Sequence, residues 1–495
     1  MKRSLSLIVV AAILSLVSPA RTADKPNVLF IAIDDLNDWI GCLDGHPQAL
    51  TPNIDRLAER GMLFTNAHCA APACNPSRAA VFSGLMPNHT GVWSNSSGSI
   101  EKHKPKAVYL PIAFAEGGYT TMGTGKLLHS SKKGSFDDYF SVDQRWSPVP
   151  VEKVDYTDDE LPSKGTDNPR HIVELNGKTY VLPLNRMPSD RRPETSGGES
   201  HDWGGWDVPD SEFGDTQIAE WVISKIGEEF EKPFFLGVGF YRPHIPLWAP
   251  ARFFERFESD PGQLPPVIED DLDDLGEAGK KWALEAVTAG SHETTVRFDQ
   301  WRAAVEAYLA CVTYVDHEVG RILDALDASP HAENTMIVLW SDHGWQLGEK
   351  EHWGKWTGWE RSTKVPLIMV PPKDRADQFA SAGSRCDQPV GLIDLYPTLT
   401  ELCGVTPPRG LDGQSIVPLL QNPQQDTGRY VFTIFDEGNT SARSDRWRYI
   451  QYADKADELY DLKNDPNEWE NLTKSPEHAE VKRAMKAGVK AYYAK

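Results

Sequence analysis

Asn27-Val28-Leu29-Phe30-Ile31-Ala32-Ile33-Asp34-Asp35 decides the fold class of this chain. After Asn27 the run is apolar and rich in β-branched residues, with no polar alternation. That pattern predicts a strand buried on both faces, as in a parallel sheet covered by helices. The run stops abruptly at two adjacent carboxylates. Side by side at the end of a buried strand, Asp34 and Asp35 repel each other and favour protonation unless a cation compensates. A solvated loop start is the plain reading of the pair, and a metal site is the sharper one.

Working outward, Phe234-Phe235-Leu236-Gly237-Val238-Gly239-Phe240, Met336-Ile337-Val338-Leu339-Trp340 and residues 365–370 repeat the buried-strand pattern. Residues 119–125 read as a glycine-bearing strand. Between them lie helical patterns. Thr51-Pro52 opens one with a capping residue and a first-turn proline. Others cover residues 111–117 and 215–230, and Tyr308, Val312, Val315, Val319 and Ile322 form the stripe of a sheet-covering helix. Strands alternating with helices predict an α/β fold, a large mostly parallel central sheet sandwiched by helices. Beyond residue 420, short strands at 430–435, 447–451 and 458–462 precede a polar helix from Glu477. The expected division is a catalytic domain at 24–420 and a smaller C-terminal antiparallel sheet plus helix at 421–495.

In open α/β sheets the ligand crevice lies at the carboxyl ends of the strands. Asp34, Asp35, Lys126, His244, Asp342 and His343 all fall at or just past a predicted strand end. His129 follows Lys126 by three residues, and Lys355 sits in the aromatic, charged stretch Glu351-His352-Trp353-Gly354-Lys355-Trp356. Alone, Lys126 or His129 reads as surface decoration and His244 as a structural histidine. Their common placement argues for a site. Asp316 and His317 read as hydrogen-bonded or solvated and take no chemistry. Residues 131–215 are polar loops with a hairpin near 180–184, a substrate-facing type of excursion that identifies no site.

In Cys74-Asn75-Pro76-Ser77-Arg78, followed by the helix-compatible Ala79-Ala80-Val81-Phe82, Ser77-Arg78 are expected to open a helix. Pro76 stiffens the turn and restrains Asn75, so Cys74 is held rigidly beside helix N–H groups and Arg78, a place suited to an anion. A buried cysteine before an ordinary helix is the competing reading.

The composition is that of a soluble enzyme: 495 residues, 40% hydrophobic and 25% charged. A formal net charge of −21 argues against general nucleic-acid binding and leaves any anion pocket to be locally positive. Lys2 and Arg3, an apolar run at 7–17 and small residues at 18–23 predict a cleaved export signal over residues 1–23. The mature chain is then periplasmic or secreted, with no later membrane span. Six cysteines make no disulfide scaffold. Pairing of Cys386 with Cys403 stays open, and Cys42, Cys69 and Cys311 read as core.

Taken together, these stretches resemble the sulfatase family of the alkaline phosphatase superfamily. Residues 74–78 fit its C-x-P-S-R motif. The likeness continues through 27–35, 51–58, Gly125-Lys126…His129, Ser341-Asp342-His343-Gly344 and Leu459-Tyr460-Asp461-Leu462. Lys126-x-x-His129, Arg242-Pro243-His244-Ile245-Pro246 and residues 342–349 look most like the iduronate-2-sulfatase group. The resemblance implies that a formylglycine-generating enzyme oxidises Cys74 to formylglycine, whose hydrate is the nucleophile. It also implies one calcium ion held by Asp34, Asp35, residue 74, Asp342 and His343. Arg78 and Lys126 would then stabilise the residue-74 oxygens, His129 would act as base, and His244 and Lys355 would bind the sulfonyl oxygens, with His244 protonating the departing alcohol. The implied substrate is a sulfated sugar in a glycosaminoglycan or other polysaccharide, with Trp345, His352 and Trp353 lining its subsite. Two alternatives stand beside this reading: a phosphonate monoester or phosphodiester hydrolase on the same fold, and an inactive glycan-binding relative.

Overall fold

The computed structural model describes residues 25–129, 135–142, 144–149, 171–187, 201–286 and 290–494. The export-signal expectation, and much of the 131–215 excursion, lie outside the described residues. Among the described residues, no helix is long and apolar enough to cross a membrane.

Eight strands form the central sheet: β1 (Asn27–Ile33), β2 (Met62–Phe64), β3 (Thr120–Gly125), β4 (Asp138–Phe140), β5 (Phe234–Phe240), β6 (Thr335–Ser341), β7 (Leu367–Val370) and β8 (Ser384–Cys386). Their spatial order is β8-β2-β7-β6-β1-β5-β3-β4. Only β7 runs antiparallel to its neighbours, so the sheet is mostly parallel, as expected. In β1, Leu29, Ile31 and Ile33 enter the core on one face, while Val28, Phe30 and Ala32 enter the core on the other. This two-sided burial explains the unbroken apolar run. Each large aliphatic side chain so buried stabilises the fold by about 1.5–3 kcal/mol.

Helices α1 (Pro52–Arg60), α3 (Gly214–Ile226) and α4 (Trp301–Asp327) cover the first face. Helix α2 (Cys74–Ser83) and the helices Leu110–Glu116 and Leu395–Leu402 cover the second. Two local expectations are corrected. Thr51 makes no side-chain cap on α1; Asp316, from α4, accepts the N–H groups of Asn53 and Ile54 instead. Helix α2 starts at Cys74 itself, with Ala73 as its N-cap, rather than at Ser77-Arg78. Pro76 is tolerated there because a first-turn N–H has no intrahelical acceptor to lose.

The C-terminal sheet is antiparallel, in the order β9 (Val431–Ile434), β10 (Thr440–Arg443), β11 (Trp447–Gln451) and β12 (Asp457–Asp461), and is packed by α5 (Ala479–Tyr493). Strand β10 had no sequence expectation. A nearly buried charge network ties this sheet to the segment at 350–360. Glu360 pairs with Arg443 and Arg448, Arg448 with Glu468, and Lys350 with Asp271. Cys386 and Cys403 both carry free thiols.

Candidate active site

Four adjacent strands, in the order β6-β1-β5-β3, deliver the charged residues to one edge of the sheet. Asp342 and His343 leave β6, Asp34 and Asp35 leave β1, the His244 segment leaves β5, and Lys126 leaves β3. The approach of β3 to β5 is close enough to require glycine. Gly125 has φ of +72°, and a Cβ on Gly239 would meet the Lys126 backbone at 2.4 Å. The Lys126 N–H donates to the Gly239 carbonyl at 2.9 Å. Asp35 itself is left-handed, with φ of +59°. Its N–H donates to Asp342 Oδ1 at 3.1 Å, and its carbonyl accepts from the Tyr308 hydroxyl at 2.8 Å. A side chain read from sequence as sheet covering thus also holds the site's backbone.

Cys74, the first residue of α2, is fully buried at the centre. Its Sγ lies 3.0 Å from Lys355 Nζ, 3.3 Å from His343 Nε2, 3.6 Å from Lys126 Nζ and 3.9 Å from Asp35 Oδ1. The helix start is pinned by its neighbours. Asn75 donates to the carbonyls of Ser94 and Gly98, and Ser77 Oγ donates to the Asp342 carbonyl at 2.6 Å. Burial and the charge of Asp34 push the Cys74 thiol up, against Lys126 and Lys355. Burial thus works against a thiolate at this position.

Arg78 is the structural hub, a role that its sequence position does not reveal. Fully buried, it donates from Nε to Asp342 at 2.8 Å and from Nη2 to Asp34 at 3.0 Å. It also donates to the carbonyls of Lys126 and Leu127. Lys126 pairs with Asp34, and Lys355 with Asp35 Oδ1 at 2.8 Å. Against the effect of burial, Lys126 and Arg78 hold the Asp34 carboxyl well below the usual carboxylate range. Burial, only partly offset by Lys355, pushes Asp35 up to about 7.

Three carboxylates thus face three permanent cations. Two further features suit this constellation to a divalent cation. Asp35 Oδ2 is buried with no hydrogen-bond partner. His343 Nδ1 donates to the Gly344 carbonyl at 2.9 Å, which turns the Nε2 lone pair inward. One ligand atom each from Asp34, Cys74, Asp342 and His343 lies within 4.8 Å of the others, and the same holds for Asp34, Asp35, Cys74 and His244. Another grouping, Asp210, His317 and Glu318, is already matched by cations, because Arg252 pairs with Asp210 and Arg321 with Glu318.

His244 points Nε2 toward Asp35 Oδ2 at 3.8 Å, while Nδ1 donates to the Ile245 carbonyl at 2.6 Å. His129 sits exposed at the rim. Desolvation by its neighbours, then the charge of Lys126, lowers the proton affinity of its imidazole. The three residues assigned from sequence to a sugar subsite lie deeper than that role needs. Trp345 and Trp353 are both 1% exposed, and Lys355 Nζ lies 5.4 Å over the Trp345 ring. Both nitrogens of His352 face backbone carbonyls, those of Ala283 at 2.8 Å and Lys355 at 2.9 Å. These side chains back and brace the Lys355 segment; no polar atom of His352 is left to meet a sugar.

A buried cysteine at a helix start, ringed by cations and by a carboxylate–histidine cluster at strand ends, defines a hydrolase of anionic esters in an alkaline-phosphatase-like fold. The chain belongs to the sulfatase family, whose match covers residues 26–405, and it is a sulfuric ester hydrolase. Residues 348–495 also match the family described as N-sulphoglucosamine sulphohydrolase, C-terminal. A sulfatase of Formosa agariphila is 36% identical over 473 residues, covering 94% of this chain and 87% of the relative. Iduronate 2-sulfatase of Mus musculus is 30% identical over 442 residues, covering 82% and 74%. The phosphonate monoester hydrolase structure of Agrobacterium radiobacter superposes with a TM-score of 0.72 at 21% identity, covering 95% of this chain and 96% of that one. At that identity the likeness concerns the fold alone.

Proposed function

We propose that this protein is an exported, calcium- and formylglycine-dependent sulfatase that removes sulfate from a sugar, in the manner of a uronate 2-O-sulfatase acting on a polysaccharide. The observation that carries the reading is the placement of Cys74 Sγ within 3.0–3.6 Å of Lys355, His343 and Lys126, on a helix start held by Arg78. The sugar assignment is supported by the similarity to iduronate 2-sulfatase.

Formylglycine at residue 74 supplies an oxygen nucleophile at sulfur where the thiol has none, and calcium held by Asp34, Asp35, Asp342, His343 and residue 74 supplies charge that favours its ionised form. Carboxylate oxygens suit a hard divalent cation, with His343 the softer member. The chain's own residues do the rest. Lys126 and Lys355 hold the sulfonyl and residue-74 oxygens. His244, as an imidazolium favoured by the bound ester anion, gives its Nε2 proton to the departing alcohol, and His129 takes the proton of the second residue-74 hydroxyl so that sulfate can leave. Each preorganised charge contact that is removed costs about 3 kcal/mol in the barrier, roughly two orders of magnitude in rate. Three cations balance three carboxylates, so a divalent ion leaves the pocket net positive. That favours a sulfate monoester anion without the second metal that a phosphate dianion would call for.

The test compares sulfate, phosphate and phosphonate esters of one alcohol. The expected result is kcat/KM highest for the sulfate; a phosphonate preference overturns the assignment in favour of the hydrolase alternative. Asp342→Asn should weaken calcium binding at least about tenfold, the effect seen when even an outer partner of a ligand is lost. Isothermal titration with calcium reads this directly, and unchanged affinity contradicts the ligand set.

A further inference from the structure

We infer that Asp215 is a positioning residue for His244, acting through the backbone of the segment that carries it; this rests on the reading of His244 as proton donor to the departing alcohol. Asp215 lies in the first turn of α3, is 3% exposed, and its ligands all come from outside its helix. Its Oδ1 accepts the Tyr241 N–H at 2.8 Å and Gln144 Nε2 at 2.8 Å, and its Oδ2 accepts the Arg242 N–H at 2.9 Å. Gln144 also donates to the carbonyl of Gly239, the penultimate residue of β5. The carboxylate therefore grips the chain where it leaves the sheet, two residues before His244.

Arg242 closes the other side of the loop. Its Nε donates to the Trp248 carbonyl at 2.7 Å, and its Nη2 reaches the Ser147 carbonyl at 3.2 Å. Asp202 fastens the same end, accepting from Trp248 Nε1 at 3.0 Å while its carbonyl accepts the Leu247 N–H. Within the loop so held, the His244 N–H donates to the Tyr241 carbonyl, Nδ1 donates to Ile245, and the Tyr241 ring lies 4.6 Å from the His244 ring. Nearly every polar backbone contact that sets the direction of Nε2 passes through residues 241, 242, 245 or 248.

In the step concerned, the bond from sulfur to the alcohol oxygen breaks with its electron pair on that oxygen, which takes the proton from Nε2. The sulfuryl group passes to the residue-74 oxygen that displaces the alcohol. His244 enters this step as an imidazolium, its charge favoured by the bound ester anion, and leaves it as a neutral imidazole whose Nδ1 keeps the proton donated to Ile245. A leaving group that departs readily as an anion needs no such proton, whereas a sugar alcohol does. Displacing the donor by about 1 Å costs roughly 10²-fold, but only where proton transfer matters.

The experiment uses full-length, formylglycine-matured, calcium-loaded enzyme on two esters, 4-nitrophenyl sulfate and a sulfated monosaccharide. Asp215→Asn should lower kcat on the sugar ester about 10–100-fold at nearly constant KM, as for a contact made only in the transition state, and lower kcat on the aryl ester less than about threefold. His244→Ala should show the same asymmetry, and the double variant should be no slower on sugar than His244→Ala alone. Arg242→Lys keeps the charge but loses the planar fork across the loop, and should reproduce the asymmetry if Asp215→Asn does not fold. Equal losses on both esters, or losses that add to those of His244→Ala, overturn the positioning role. No asymmetry in His244→Ala itself overturns the donor reading on which that role stands.

Discussion

Cys74→Ala should lower kcat on any sulfate ester about 10⁴-fold or more while the protein remains folded. The expectation follows from the site's division of labour. Lys126, Lys355 and His343 surround one atom, Cys74 Sγ, and without an oxygen there they have a bound ester and nothing to attack it. Loss of a nucleophile alone costs about as much as loss of its whole constellation. Cys74→Ser sharpens the test. A single hydroxyl can accept a sulfuryl group but has no second hydroxyl to release it, so this variant should give one turnover and stop. Turnover by Cys74→Ala within tenfold of the parent would remove residue 74 from the chemistry.

Arg78→Met should cause the largest loss of stability of any single change at the site, about 3–5 kcal/mol. Arg78, Asp34 and Asp342 are all fully buried, and the guanidinium bonds both carboxylates. Removing it leaves two buried carboxylates short of their main partner, the costly way to break an ion pair. Lysine should rescue only part of the loss, because it lacks the fork that spans both. The midpoint of guanidinium-induced unfolding, measured with calcium chelated, checks this; a midpoint equal to the parent's would mean that Arg78 does not hold these groups together.

The parts of this architecture legible in sequence are those governed by local pattern. β1, β5 and β6 are buried on both faces, so their apolar runs announce them, and the polar residues that end them announce the site. Short strands such as β2, β4 and β8 hold three residues each, too few for periodicity, and exist because the sheet offers them an edge. The start of α2 was misplaced because Cys-Asn-Pro carries little helix propensity; long-range bonds from Asn75 and Ser77 hold that turn instead.

Distances between remote segments were not legible. Arg78 was visible as a charge but not as the bridge between Asp34 and Asp342, which lie 308 residues apart in the chain. Asp215 only marks the start of the helical pattern at 215–230, and its grip on residues 241 and 242 appears only once β5 is placed. The opposite error concerned Trp345, His352 and Trp353. Aromatic and histidine side chains near a catalytic lysine suggest a sugar platform, but here they are buried as its support.

The most direct measurement is the mass of the peptide carrying residue 74, from protein produced aerobically with a formylglycine-generating enzyme. The account predicts an aldehyde in place of the thiol. Intact cysteine in catalytically active protein would contradict it.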